Sequence, residues 1–328
     1  NSGSSAIESL VASYTINGEN ETQTFFSNIQ PLESKQLTFS SKYNFAPGEN
    51  YELTIEISKL NDSDEEITDV VLSKEVAAAL SQTQRTSMIE HFSSSTCVPC
   101  ITVNNIMVQL TENHEGQYTY TKYTSNGPGL GDPYFTAEGG TRMTYYNVMG
   151  VPQTFLDGVD QGYGAVSEDN FMASQEKPAF ANVRGTYTTE GNIINIKADF
   201  MSYIKMEDVR AFITVNEKTT TGNASSNGET EFHHVMMKML ENANGNSMNI
   251  NAGEYQHLEF SFDMSSTFVE DMNDLEVALW LQNYETMEIY NSHYAYQSDV
   301  HVHPVRNMSA EINGSDLKIS WSAPEAGS

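Results

Sequence analysis

The sequence predicts a multidomain chain in which a central α/β domain is flanked by all-β sandwiches. Three observations predict it. Short apolar–polar alternations broken by turn residues fill residues 1–80 and return after residue 178. Between them, an apolar run enters the motif Cys97-Val98-Pro99-Cys100 and a helix-compatible run leaves it. Further on, Gly150-Val151-Pro152 opens another strand-like run.

The bulk properties fit this plan. A chain of 328 residues is long for one domain and sufficient for two or three. Hydrophobic residues make up 38% and charged residues 18%, a composition that builds packed cores. Lys+Arg is 16 against Asp+Glu 44, a net charge of -28. Such a surface repels phosphate backbones and anionic headgroups, which argues against nucleic-acid binding and favours solubility. No run of about 18 apolar residues is present, so no transmembrane segment is expected. The start, Asn1-Ser2-Gly3-Ser4-Ser5, reads as a linker or a processed end. The 2 cysteines do not make a disulfide scaffold. Both sit in one C-x-x-C, which points to redox chemistry or a local staple.

The first segment reads as strands. Leu10–Ile16 alternates, Asn17-Gly18 offers a hairpin turn, and Glu21–Phe26 continues it. Gln36–Phe39 is expected as a further strand, Pro47-Gly48 as a turn, and Tyr51–Ile57 as a strand of strict period two. Thr68–Leu72 closes the set, and the strand spacing suggests an immunoglobulin-like sandwich over 1–80. The acidic turn Asn61–Glu66 lacks the glycine and the distal bidentate glutamate of a calcium loop.

The pattern changes at Arg85. Ser87–Phe92 reads as a buried strand, Ile101–Leu110 as a helix and Tyr118–Thr124 as a strand. Residues 126–133 are a glycine- and proline-rich loop, and Phe135–Val148 reads as a helix weakened by Gly139-Gly140. Gly150–Gly158 is a strand ending in a turn, and Ser167 starts a helix that stops at Pro178.

Strand, C-x-x-C, helix, strand, helix, Val-Pro, strand, helix is the thioredoxin order, and residues 85–178 resemble a thioredoxin-like domain. More specifically, the chain resembles the Omp28-related outer membrane protein family of Bacteroidetes. The stretch Ile89-Glu90-His91-Phe92-Ser93-Ser94-Ser95-Thr96-Cys97-Val98-Pro99-Cys100, the segment Gly150-Val151-Pro152 and the strand-rich flanks carry the resemblance.

The motif has its own chemistry. A cysteine at a helix N-terminus meets unpaired N–H groups and the positive end of the dipole, both of which favour thiolate. Cys97 is therefore the candidate nucleophile, and Cys100, one turn on, can resolve a mixed disulfide. Pro99 is tolerated because the N–H it lacks has no helical partner. The resemblance implies that Pro152 is the cis-proline facing the cysteines and that the backbone of Val151 pairs with an extended substrate. His91 stands where thioredoxins carry a buried acid, and could move a proton near neutral pH or be a buried histidine with one hydrogen bond. Thr96 replaces the usual aromatic and Ile101 the usual basic residue, which removes a recognition surface and a cation. Zinc at the cysteines would need four ligands, and only His91 and His114 lie near in sequence, so no metal is expected there.

After Pro178, Ala181–Thr188, Ile193–Phe200, Val209–Val215, His257–Phe262 and Leu275–Leu281 read as strands of a second sandwich over 179–300. Thr219–Glu231 reads as a long mobile polar loop. His233 and His234 would point to opposite faces of a strand, and His301 and His303 to the same face, two ligands being too few for a metal site. Met236, Met237 and Met239 read as core filling. Residues 304–328 resemble the start of a fibronectin type III-like domain with Trp321 as its core tryptophan, implying that the parent chain continues. Two function classes stay open. One is thiol–disulfide exchange with a protein substrate by a secreted or outer-membrane-associated protein. The other is a non-catalytic cell-surface binding or adhesion protein with a structural Cys97–Cys100 disulfide. Both are extracytoplasmic, and neither calls for a cofactor.

Overall fold

The computed structural model describes residues 1–324 other than 62, 64–66, 68–70 and 315. The chain divides into two compact units, Asn1–Leu80 and Ser81–Ser328.

The first unit is an antiparallel sheet of β1 (Ile7–Ile16), β2 (Glu19–Ile29), β3 (Asn50–Leu60) and β4 (Val71–Ala77), in the order β2-β1-β3-β4. Asn17 and Gly18 both take positive φ, 47° and 90°, the conformation of a tight hairpin turn. Leu10, Ala12, Tyr14 and Ile16 are buried in alternation along β1. Gln36–Phe39, expected as a strand, is irregular. The Ser40 N–H takes the side-chain oxygen of Gln23 on β2 at 2.8 Å in place of a strand backbone. Phe39 instead packs edge-on against Tyr14 and Phe25, with ring centroids 4.9 and 5.1 Å away. Among the described residues the unit therefore has one sheet, and residues 31–49 supply the covering layer where a second sheet was expected. Most of the acidic turn at 61–66, and residues 68–70, lie outside the described residues.

The second unit begins with β5 (Ser87–Ser93), α1 (Val98–Asn113), β6 (Tyr118–Thr124), α2 (Ala137–Tyr145), β7 (Gln153–Leu156), β8 (Val159–Asp160) and α3 (Glu168–Gln175). Every residue of β5 is buried, between a parallel β6 and an antiparallel β7. Ile89 packs with Val103, Met107 and Leu110 of α1, and Phe92 packs with Tyr123, Tyr146 and Phe155 on the other side. Strand β5 thus separates two apolar layers. Helix α3 is capped as expected: Ser167 Oγ accepts from the Asn170 N–H at 3.2 Å. Helix α2 is shorter than its sequence suggests, because Asn147 turns to φ 53°.

Then follow β9 (Ala181–Glu190), β10 (Ile193–Ser202), β11 (Met206–Thr220), β12 (Phe232–Leu240), β13 (Asn246–Ile250), β14 (Tyr255–Asp263), β15 (Leu275–Asn283), β16 (Ile289–Tyr294) and β17 (Tyr296–Gln297). Sheet β14-β10-β9-β17 faces strands β16-β15-β11-β12, and Ile194, Ile196 and Phe200 meet Ile213, Val215 and Leu279 in the core between them. Met236, Met237 and Met239 fill buried positions, as expected. Strand β12 bridges β6 at Val235–Lys122, so β5–β8 continue the β16-β15-β11-β12 sheet. A hairpin of β18 (Arg306–Asn313) and β19 (Asp316–Ser322) ends the described chain, with Trp321 61% exposed on it.

Candidate redox site and its supports

The two cysteines are joined, Cys97 to Cys100, with Cα atoms 5.3 Å apart. Cys97 is the N-cap of α1, and Pro99 lies in the first turn, where its missing N–H costs nothing. The Val151–Pro152 peptide is cis, and the carbonyl oxygen of Val151 stands 3.5 Å from Cys97 Sγ. The structure therefore brings Cys97, Cys100, Pro99 and the Val151–Pro152 turn together. Val98 and Pro99 are exposed, whereas Cys97 is 1% and Cys100 0% exposed. The exposed surface of the motif is therefore Val98 and Pro99.

Several groups brace the loop that carries the motif. Thr96 Oγ1 donates to the Pro128 carbonyl at 2.7 Å, tying the motif to the 126–133 loop. Asp132 receives the Ser95 N–H at 2.8 Å, and burial raises its pKa against these hydrogen bonds. Asn227 donates its amide to the carbonyls of Cys97 and Ser94 at 3.3 and 3.4 Å, and to Glu229 at 2.6 Å. Glu229 also receives the amide of Asn104 on α1 at 2.8 and 3.0 Å. The 219–231 segment, expected to be mobile, is docked on the cysteine loop by these side chains, and its first residues belong to β11.

His91 is fully buried and its Nδ1 lies 2.6 Å from the Tyr120 hydroxyl, while its Nε2 has no hydrogen-bond partner. Burial, and secondarily the cation of Lys122, hold its pKa well below the usual value, so it is a neutral imidazole. Lys122 pairs with it across β5 and β6, and burial pushes the amine down to about 8 against the pull of Glu229 and Asp132.

Glu90 lies on the other face of β5, as alternation predicts, but in a network no periodicity reveals. Arg142 of α2 donates to it at 3.0, 2.7 and 2.9 Å, Tyr123 at 2.8 Å and Tyr146 at 2.5 Å. The guanidinium also stacks on Tyr145, Tyr146 and Phe212, 4.5–4.8 Å from their centroids. A lone arginine beside Gly139-Gly140 in a short helix was the available signal, and a weak one.

His233 and His234 do not diverge as expected. His234 adopts φ 58°, which breaks the alternation, and both line a cleft of about 500 Å³ with Lys122 and Tyr120. His234 is committed to Glu276 at 2.7 Å and stacks on Tyr120 at 4.7 Å.

Neither a known family model nor a curated protein matches the chain. Among solved structures, HBP35 of Porphyromonas gingivalis aligns at 12% identity with a TM-score of 0.52, covering 72% of this chain and 85% of that one. Protein AGR_C_4864 from Agrobacterium tumefaciens aligns at 16% identity with a TM-score of 0.46, over 68% of this chain and 100% of that one. The likeness to HBP35 is one of fold, which by itself assigns no activity. Among the described residues, no helix is long and apolar enough to cross a membrane.

Proposed function

We propose that residues 85–178 are a thioredoxin-like domain in an extracytoplasmic, Omp28-like protein, and that Cys97 and Cys100 exchange disulfides with a protein substrate. The observation that carries this reading is the Cys97–Cys100 bridge at a helix N-terminus, with the Val151 carbonyl 3.5 Å from Cys97 Sγ at a cis Pro152. In the reduced protein, the N-terminal N–H groups of α1 favour the Cys97 thiolate. That thiolate attacks a substrate disulfide, forming a mixed disulfide and releasing one substrate thiolate. Cys100 then loses its proton and attacks Cys97 Sγ, which re-forms the Cys97–Cys100 bond and releases the second substrate sulphur. Two electrons pass from the dithiol to the substrate. His91, whose buried Nε2 has no hydrogen-bond partner, is the candidate proton carrier of this reading, and Val151 and Pro99 line the substrate strand. The strand-rich segments 1–80 and 179–300, and the fibronectin type III-like start at 304–328, flank the redox module.

A second reading has one observation in its favour, the burial of both cysteines in a loop whose backbone carbonyls Asn227 ties down. In it the bridge is a staple in a cell-surface binding protein. Turnover of insulin disulfides by the reduced chain separates the two. Catalysis that is lost in Cys97→Ser supports exchange. A bridge that resists mild dithiol and shows no turnover supports the staple.

A further inference from the structure

Strand alternation assigns Asp199 to the solvent side of β10. Its even-numbered neighbours Ile194, Ile196, Ala198 and Phe200 fill the core, while Asn195 and Lys197 do not. Asp199 is nonetheless 1% exposed. The segment after β17, residues 298–303, lies over it and brings His301 and His303 onto its carboxylate. Residues 301–303 are irregular and not the strand the sequence suggested. His257 joins from β14, where it is the register partner of Asp199. His257 Nδ1 is 2.7 Å, His301 Nε2 2.9 Å and His303 Nδ1 3.1 Å from the Asp199 oxygens. The four donor atoms all lie within 4.8 Å of one another.

Proton counting makes this cluster unusual. His257 faces carboxylates on both sides, Asp199 through Nδ1 and Glu259 through Nε2 at 3.0 Å. A neutral imidazole has one N–H, so one of these contacts sets a lone pair against an anion. The Asp199 carboxylate meanwhile collects three imidazole nitrogens in a buried position, where every unmatched lone pair is costly. Only additional protons or a cation at the centre resolve this. The outer contacts favour a cation. The Glu259 carboxylate on His257 Nε2 holds the proton there and leaves Nδ1 free to ligate. Thr186 Oγ1 sits 2.9 Å from His301 Nδ1 and orients that ring with its Nε2 inward.

We propose that Asp199, His257, His301 and His303 form a binding site for one divalent transition-metal ion of the zinc class. Three imidazoles and one carboxylate are the donor set of a closed four-coordinate centre, with metal–ligand bonds of about 2.0–2.2 Å. The nitrogen majority disfavours calcium and magnesium, which take oxygen ligands. Because all four positions come from the protein, the ion would be structural. It would clip the 298–303 segment, and so the base of the β18–β19 hairpin, to the outer face of the sandwich.

The test uses the full chain, stripped with chelator and titrated with zinc chloride at neutral pH by calorimetry, with cobalt(II) as a spectroscopic probe. One equivalent of zinc, a rise in melting temperature on its addition, and the intense visible bands of four-coordinate cobalt are expected. The pair His301→Ala with His303→Ala should lose the equivalent. Glu259→Gln, at a side chain that is 57% exposed, should weaken it about tenfold. The control pair His233→Ala with His234→Ala should keep it. No stoichiometric uptake, the weak bands of six-coordinate cobalt, uptake unchanged in the His301/His303 pair, or uptake lost in the control overturns the assignment.

Discussion

Replacing Arg142 with methionine tests the buried network behind β5. The Glu90 and Arg142 side chains are 1% and 0% exposed, and the change removes all three contacts the guanidinium makes to Glu90. Tyr123 and Tyr146 remain to hold the carboxylate. Breaking a buried pair from one side costs about 3–5 kcal/mol because the remaining charge loses its counterion. With two hydroxyls still donating, the loss should sit near the lower end, about 3 kcal/mol. The double change Glu90→Leu with Arg142→Met should cost less than the two single changes added together, because no charge is left stranded. Urea unfolding followed by tryptophan fluorescence measures this. Trp280 is fully buried, stacked on Phe212 at 5.1 Å, whereas Trp321 is already exposed and contributes little change. A loss below about 1 kcal/mol, the range of exposed pairs, or costs that simply add, would show that the pair does not act as a desolvated ion pair.

His91 is held neutral, so the unfolded chain binds one more proton below the ordinary histidine pKa. Its contribution is fully present above about pH 6.5 and is lost as pH falls toward the depressed folded value, by up to about 1.4 kcal/mol per pH unit. Denaturant titrations of wild type and His91→Gln should converge in slope if this is wrong. Glu229→Ala strips the amides of Asn104 and Asn227 of their shared acceptor. It should cost about 1–3 kcal/mol and speed reduction of the Cys97–Cys100 bridge by a soluble dithiol, and an unchanged reduction rate would show that these contacts do not guard the sulphurs. In the sandwich, a Cβ at Gly185 would lie 2.4 Å from Leu279 Cδ1 and 3.0 Å from the Lys197 carbonyl, so Gly185→Ala should cost about 1–3 kcal/mol by thermal melting.

What the sequence revealed was local, and what it hid was long-range. The β5–loop–α1 passage was legible because the buried run, the motif and the first-turn proline lie side by side, β10 and β14 were legible from period-two alternation, and β15 from a near-continuous apolar run buried on both faces. Gln36–Phe39 misled because alternation reports which side chains share a face, not whether a backbone partner exists. The 219–231 segment misled in the opposite sense. Its polarity suggested freedom, yet Asn227 and Glu229 spend that polarity on the cysteine loop. Glu90 and Arg142 stand 52 residues apart, and His301 and Asp199 102 apart, distances at which periodicity carries no information. His257 was visible only as a strand residue until its cross-strand register with Asp199 was known.

Exchange at the Cys97–Cys100 pair depends on a Cys97 thiolate at the N-terminus of α1. The most direct measurement is the pH dependence of Cys97 alkylation in the reduced chain, run beside insulin-disulfide turnover. The Cys97 thiol is expected to titrate well below the usual value of about 8.5, with turnover that follows the thiolate and vanishes in Cys97→Ser. An ordinary thiol titration, or turnover that survives Cys97→Ser, would contradict exchange through this thiolate.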